Sequence, residues 1–353
     1  MYAKLKHTYL CYMSELQINL FQHIKAVLPS NLSLADEIAD LLDVSVDSAY
    51  RRIRGEKQLI FEEIQKLSQH FKISIDKILN LKSDSTLFSG IYLEHKDFDF
   101  LKYLDDNMYN NLAYVARFEQ KELIYFSKDI PIFYYYMFPE LAAFKFFVWM
   151  KTLLEFPEFV SAKFSLKKIP ESFFERAKKI ATISCQIPVT EILNVENIQT
   201  TLRQIEYYKD TRLFESKSEL DLLYDKLEEM ISHMETLCTV GRKFLPGQKP
   251  LLTNAPLKMY VNDFVIGDHS NVAILNGKKM CFINHNIINV LSTQDEAFCN
   301  YSYDFMQNII RKSTQISEVG ERERVVFFNM IRQRIDMYKH NEIKTLSKQT
   351  PYY

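Results

Sequence analysis

Apolar positions between Ser33 and Leu79 recur three and four residues apart and stop at short polar breaks. Leu34, Ile38, Leu41 and Leu42 fall on one side of a 3.6-residue turn, which predicts an amphipathic helix. Ser33 stands at its N-cap, and Asp36 three residues on completes a capping-box-like pair. Ala39 is small where a second helix must cross closely. Asp43 ends the first helix, because its short side chain suits a tight turn and tolerates the left-handed region. Val44 plugs the angle, and Ser45 caps a second helix, Val46 to Arg54, with Ala49 and Ile53 one turn apart facing inward. With Leu59 to Phe71 and Ile73 to Leu79, the segment from 14 to 79 reads as five short helices.

Past the polar junction Lys82-Ser83-Asp84-Ser85-Thr86 the pattern changes. The organisation expected is a helical domain over 1–82, a linker over 83–95 and an α+β region over 96–353, with a second boundary near 241–256. LAYVARF and LIYF, between Leu112 and Phe126, flank a polar Glu119-Gln120-Lys121-Glu122 and predict a hairpin. Ile130 to Met150 is the most apolar stretch, but Pro131, Pro139, Glu140 and Lys145 interrupt it. A membrane helix needs about 20 uninterrupted apolar residues, so this stretch is core and no membrane partner is expected. Pro246, Gly247, Pro250 and Pro256 break helical structure, and the strand-like runs MYV, FVI, NVAIL and MCFI follow. Asn276-Gly277 supplies both positive-φ positions of a type I′ turn between the last two. The fold class is therefore a mainly α five-helix helix-turn-helix domain plus a larger α+β region with small antiparallel hairpins.

Two later helices carry long apolar stripes. Ser216 and Glu219 form a capping box, and Leu220, Leu223, Leu227, Met230, Met234 and Leu237 then alternate as coiled-coil positions do. Phe327, Ile331, Ile335 and Tyr338 line the last helix, from about Glu321 to Tyr338. Each stripe fits either a dimerisation surface or a partner within the same domain.

Composition narrows the functional classes. A length of 353 residues suggests two or three domains, and the 26 Phe and 21 Tyr supply large cores. Net charge is −1, and residues 1–80 carry ten Lys+Arg against ten Asp+Glu, so nucleic-acid contact must come from a local patch. Cys11, Cys185, Cys238, Cys281 and Cys299 are scattered, without a CxxC pair, which fits reduced thiols in the cytoplasm better than disulfides or zinc. The N-terminus has neither the apolar core nor the cleavage site of a signal peptide. GxxxxGK[ST], GxGxxG, HExxH and GxSxG are all missing. Asn284-His285-Asn286 matches part of a nuclease motif but lacks a second His or zinc-ligand context, and His233 and Cys238 are badly spaced for one metal. The expectation is a non-enzyme with no catalytic residue, metal or cofactor.

The helix Val46–Arg54 carries the clearest chemistry. A short capped helix tied sharply to its predecessor projects its N-terminal half, which in DNA-binding proteins enters the major groove. Val46, Asp47, Ser48, Tyr50 and Arg51 point outward, and Arg51, Arg52, Arg54 and Lys57 form a cationic cluster for phosphates or guanine edges. The segment resembles the lambda-repressor-like, Cro/repressor-type helix-turn-helix family. Its parts are Ala39, Asp43, Val44-Ser45, Arg54-Gly55, Leu59 to Phe71, and the closing Ile73 to Leu79. The resemblance implies double-stranded DNA as partner, base-reading by Val46, Asp47 and Arg51, and phosphate or N-terminal roles for Ser45 and Ser48. Asp43 replaces the family's turn Gly, Asp47 is acidic beside the groove, and Arg52 stands where an aliphatic residue is usual, a role Ile53 could take. A sequence-specific transcription regulator follows, acting as a homodimer, with the C-terminal region sensing a small-molecule or protein effector or oligomerising. A protein-interaction adaptor reusing the helix-turn-helix, or an enzyme in the C-terminal region, are the alternatives.

Overall fold

Asp43 adopts φ 53° and ψ 55°, the left-handed conformation expected of the residue that ends the first amphipathic helix. The computed structural model describes residues 15–25, 28, 32–71, 73, 75, 78, 86–90, 99–126, 128–264, 270–285 and 289–340. The chain divides into two units, Met1–Ser85 and Thr86–Tyr353.

The first unit contains α1 (15–25), α2 (Leu34–Leu42), α3 (Val46–Ile53) and α4 (Phe61–Phe71). The fifth helix expected over 73–79 lies mostly outside the described residues. Leu20, Phe21 and Ile24 of α1 meet Ile38, Ala39 and Leu42 of α2, Ala49 of α3 and Leu67 of α4 in one small core. The turn from α2 is a Schellman closure: the Val44 amide donates to the Ala39 carbonyl at 3.0 Å and the Asp43 amide to Asp40 at 3.4 Å. Ser33 corrects the sequence reading. It is extended, but its side chain makes no cap hydrogen bond. Asp36 and Glu37 in the first turn complement the helix dipole instead.

In the second unit seven described strands form one mixed sheet in the order β6-β5-β4-β1-β2-β3-β7. They are β1 (Lys121–Phe126), β2 (Val189–Leu193), β3 (Leu257–Val261), β4 (Ser270–Leu275), β5 (Lys278–His285), β6 (Asn289–Thr293) and β7 (Thr314–Gln315). β2 runs parallel to β1 and β3, and the other pairings are antiparallel. The helices are α5 (Phe100–Tyr103), α6 (Asn110–Ala116), α7 (Ile132–Tyr135), α8 (Pro139–Val148), α9 (Pro157–Val160), α10 (Glu171–Ser184), α11 (Gln199–Asp210), α12 (Lys217–Val240), α13 (Glu296–Arg311) and α14 (Glu321–Lys339). β1 alternates between two cores: Leu123 joins the large aromatic one, while Ile124 and Phe126 join a smaller one with Cys299, Met306 and Ile309 of α13. The sheet is thus covered on both faces.

Three sequence expectations change here. The hairpin over 112–126 is not formed: Leu112 and Val115 lie three apart on α6 and are buried, and only the second run is a strand. That strand pairs with β2 and β4, so the region is one mixed sheet rather than a set of small hairpins. Both apolar stripes lie inside the unit. Leu223, Leu227, Met230, Met234 and Leu237 of α12 and Phe327, Ile331 and Ile335 of α14 share one core, leaving neither stripe free for a second copy. Ser216 caps α12, accepting the Glu219 amide at 3.3 Å, but the Glu219 carboxylate accepts from the Leu166 amide instead of closing the box. Asn276 and Gly277, at φ 47° and 83°, make the β4–β5 turn as expected. Part of the FVI run lies outside the described residues.

Ile130 to Met150 runs through α7 and α8, and every residue from Leu141 to Val148 is buried. No helix among the described residues is long and apolar enough to cross a membrane.

Candidate nucleic-acid interface

α3 is held in place from three directions. At its start Ser45 Oγ accepts the Ser48 amide at 3.3 Å, satisfying one of the free donors of the first turn. On its inner face Ala49 is fully buried and Ile53 packs on the same core. At its end Gln17 of α1 grips the following loop. Its Nε2 donates to the carbonyls of Arg52 and Lys57 at 2.7 and 2.8 Å, and its Oε1 accepts the Leu59 amide at 3.0 Å. Gln17 is a positioning residue that sequence reading missed, since its partners lie 35 to 42 residues away.

Arg52 leaves the proposed cationic cluster. It is buried, and each of its three side-chain nitrogens has an acceptor. Nε and Nη2 fork onto Glu63 of α4 at 3.1 and 2.6 Å, and Nη1 reaches Ser48 Oγ at 2.7 Å and the Ser48 carbonyl at 3.2 Å. These hydrogen bonds, ahead of any other influence, hold the Glu63 carboxyl below its ordinary pKa. Arg52 therefore joins α3 to α4 where an aliphatic side chain would otherwise pack, and it takes the Ser48 hydroxyl with it.

The outward face then consists of two ridges four residues apart. Val46 and Tyr50 are 43% and 47% exposed, and Asp47 and Arg51 lie beside them. Such a ridge offers an apolar edge for a thymine methyl and a guanidinium for guanine. Arg54 and Lys57 are also exposed, but Arg54 forks onto Glu56 at 2.7 and 3.2 Å, and Arg51 Nε lies 3.8 Å from the same carboxylate. The pairing with Glu56 raises the Arg54 pKa and lowers that of Glu56. Ser45, Val46, Asp47, Tyr50, Arg51, Arg54 and Lys57 are thus gathered on or beside one exposed surface, whereas Ser48 and Arg52 turn inward.

Residues 23–111 match the model of the BetR domain family, a helix-turn-helix-like DNA-binding domain family. The match covers all of α2, α3 and α4 and reaches into the second unit as far as α6. It points to a DNA-binding, regulator-like role. No curated protein and no solved structure matches the chain.

Proposed function

We propose that the chain is a sequence-specific DNA-binding transcription regulator of the lambda-repressor-like kind, with α3 as the recognition helix. One observation carries this reading: α3 is capped, packed and clamped, yet keeps an unobstructed face of Val46, Asp47, Tyr50 and Arg51. Rigid support of this sort is what a helix needs to present side chains to base edges in fixed register. Arg51 is assigned to a guanine, and Arg54 and Lys57 to phosphates, with Arg54 leaving Glu56 on binding. No catalytic residue, metal or cofactor is assigned.

The unit carries little net charge and Glu56 faces two of its arginines, so one copy makes few phosphate contacts. We assign a homodimer on a two-fold site for that reason. The α12 and inner α14 stripes being internal, we assign it to the outer face of α14, where Val325, Val326 and Met330 are exposed. The free thiols of Cys185, Cys238, Cys281 and Cys299 favour a cytoplasmic setting.

The test is an electrophoretic mobility shift with the full chain on DNA upstream of its own locus, run across a salt series. A shift that survives excess unrelated duplex, with log Kd linear in log salt, supports the reading. A specific observation favours a second one: Ile60 and Phe61, 58% and 86% exposed, form an apolar pair at the start of α4 that suits an adaptor. Salt-independent absence of any shift would favour the adaptor.

A further inference from the structure

The second unit holds a partly open cavity of about 250 Å³ between the sheet and the helices that precede and follow β1. Its walls are largely apolar, including Leu112 and Val115 of α6, Phe133 of α7, Trp149, and Phe282 and Val290 of β5 and β6. An engineered apolar cavity of about 150 Å³ takes benzene, so this one has room for a guest of roughly ten non-hydrogen atoms. Two π-helical turns, Leu104–Tyr109 and Trp149–Leu153, place Asn107, Met108 and Trp149 on the wall. Such turns are frequent at functional sites.

The polar groups on this wall fall into two kinds. Asp129 and Lys145 are already answered. Asp129 Oδ1 accepts the Ile130 amide at 2.8 Å and the Tyr135 hydroxyl at 3.1 Å, and Oδ2 accepts from Lys145 Nζ at 3.0 Å. Lys145 also donates to Gln204 Oε1 at 3.1 Å and lies over the Tyr135 ring. The pair is neutral overall, and a charged guest would bring an uncompensated charge into a buried site. The carboxamides are different. Asn107 is hydrogen-bonded to the Tyr103 hydroxyl, whereas Asn271 Oδ1 on β4 is buried without a partner among the described residues. Asn111 and Asn284 stand on the same wall. A buried acceptor left unmatched is costly unless something enters the space between the walls and donates to it.

We propose that this cavity binds a small uncharged molecule with an apolar, ring-sized body and an amide group that donates a hydrogen bond. The body lies against Trp149, Phe133 and Val115, and the amide N–H donates to Asn271 Oδ1. All these residues lie within the second unit, so the site stands or falls independently of DNA binding.

Trp149 is the sole tryptophan of the chain, which makes its emission a reporter placed on the cavity wall. The full-length protein is titrated with benzamide, and in parallel with benzoate and toluene as charged and amide-free near-isosteres, following Trp149 emission and the thermal midpoint. Benzamide is expected to give a saturable emission change and a raised midpoint, at concentrations at least tenfold below those needed for benzoate or toluene. Asn271→Val removes the unmatched acceptor, and benzamide should then lose its advantage over toluene while the unliganded protein unfolds at the same or a higher temperature. Val115→Trp fills the space; this variant should not respond to benzamide. Because overfilling could unfold the chain, the Asn271→Val comparison decides alone if Val115→Trp is not folded. The proposal is overturned by no saturable response to benzamide in the wild type, by equal affinity for benzamide and benzoate, or by an Asn271→Val variant that keeps the full preference for benzamide over toluene.

Discussion

Arg52 in the first unit and the Asn271 carboxamide oxygen in the second are both polar groups withdrawn from water, but they are treated in opposite ways. Every side-chain nitrogen of Arg52 meets an acceptor on α3 or α4. Asn271 Oδ1 meets no donor among the described residues, and Asn271 stands on the wall of a cavity. A buried group matched within the chain is architecture: it locks two helices in one geometry. A group left unmatched beside open space is a demand on something from outside. On the functions proposed, the same distinction separates the two units, one presenting an exterior face and the other an interior site.

The comparison breaks first at Arg52. Arg52→Ala leaves the Glu63 carboxylate, only 13% exposed, without its partner. Breaking a buried pair on one side costs about 3–5 kcal/mol, the largest effect expected in either unit. Urea denaturation followed by amide exchange within α2 and α3 measures it. Replacing both partners, Arg52→Met with Glu63→Met, should recover most of the loss, because the desolvated charge disappears with the pair. A single substitution as mild as a surface change would mean that Arg52 is free to meet DNA after all.

The second unit has its own buried charge. Glu191, in the centre of the sheet, accepts from the Tyr134 hydroxyl at 2.8 Å. Burial pushes its pKa from 4.5 up to about 7, with Lys243 and that hydrogen bond pulling the other way. The folded state therefore holds its proton more tightly than the unfolded one, so this group's contribution is fully present below pH 4.5 and is lost as pH rises to about 7. The two values differ by roughly 2.5 units, which corresponds to about 3 kcal/mol. Glu191→Gln should be more stable than wild type by about that amount near pH 8, with little gain near pH 4, by denaturation at both values. The first unit has the reverse sign: Glu63, held low by Arg52, adds stability above its unfolded pKa that fades as acid protonates it.

How far each unit was legible follows from the range of the contacts that make it. Asp43, Val44 and Ser45 act within a few residues of themselves, and the turn and caps could be read directly. Asn276-Gly277 was legible for the same reason. Arg52 finds Glu63 eleven residues on and Gln17 finds the loop at 57–59 from forty residues back, so one was misplaced and the other missed. β2 gave no alternation to read, because all five of its residues are buried, Thr190 and Glu191 included. Tyr114 and Val115 favour strands as residues, yet tertiary packing made their segment α6. The cavity draws its wall from positions between 107 and 290, and no local pattern contains it.

A smaller effect sharpens the outer face of the first unit. Arg51→Ala should cost about 1–3 kcal/mol on a specific site and relax one base position, if the guanidinium reads a guanine. Glu56→Gln should act on the other arginine. Removing the carboxylate that holds Arg54 frees it for phosphate, raising affinity for all sequences alike and steepening the salt slope. Mobility shifts on specific and scrambled duplexes separate the two. Equal loss on both duplexes in Arg51→Ala would reassign that residue to the backbone.

The smallest effect tests the turn itself. At φ 53° a Cβ is mildly strained, and Asp tolerates the left-handed region better than most residue types. Asp43→Gly removes that strain but also frees the unfolded chain, and these contributions are both about 0.5–1 kcal/mol with opposite signs. The expected change in the denaturation midpoint is therefore close to zero. Asp43→Val keeps the strain and adds a branched Cβ that is an outlier at positive φ, and should cost more than about 1 kcal/mol. A helical Asp43 would reverse that order, since glycine inside a helix costs about 1 kcal/mol while valine is tolerated. Which of the two variants is weaker thus reads the conformation at one residue, and with it the register that brings Val46, Asp47, Tyr50 and Arg51 to the outside of α3.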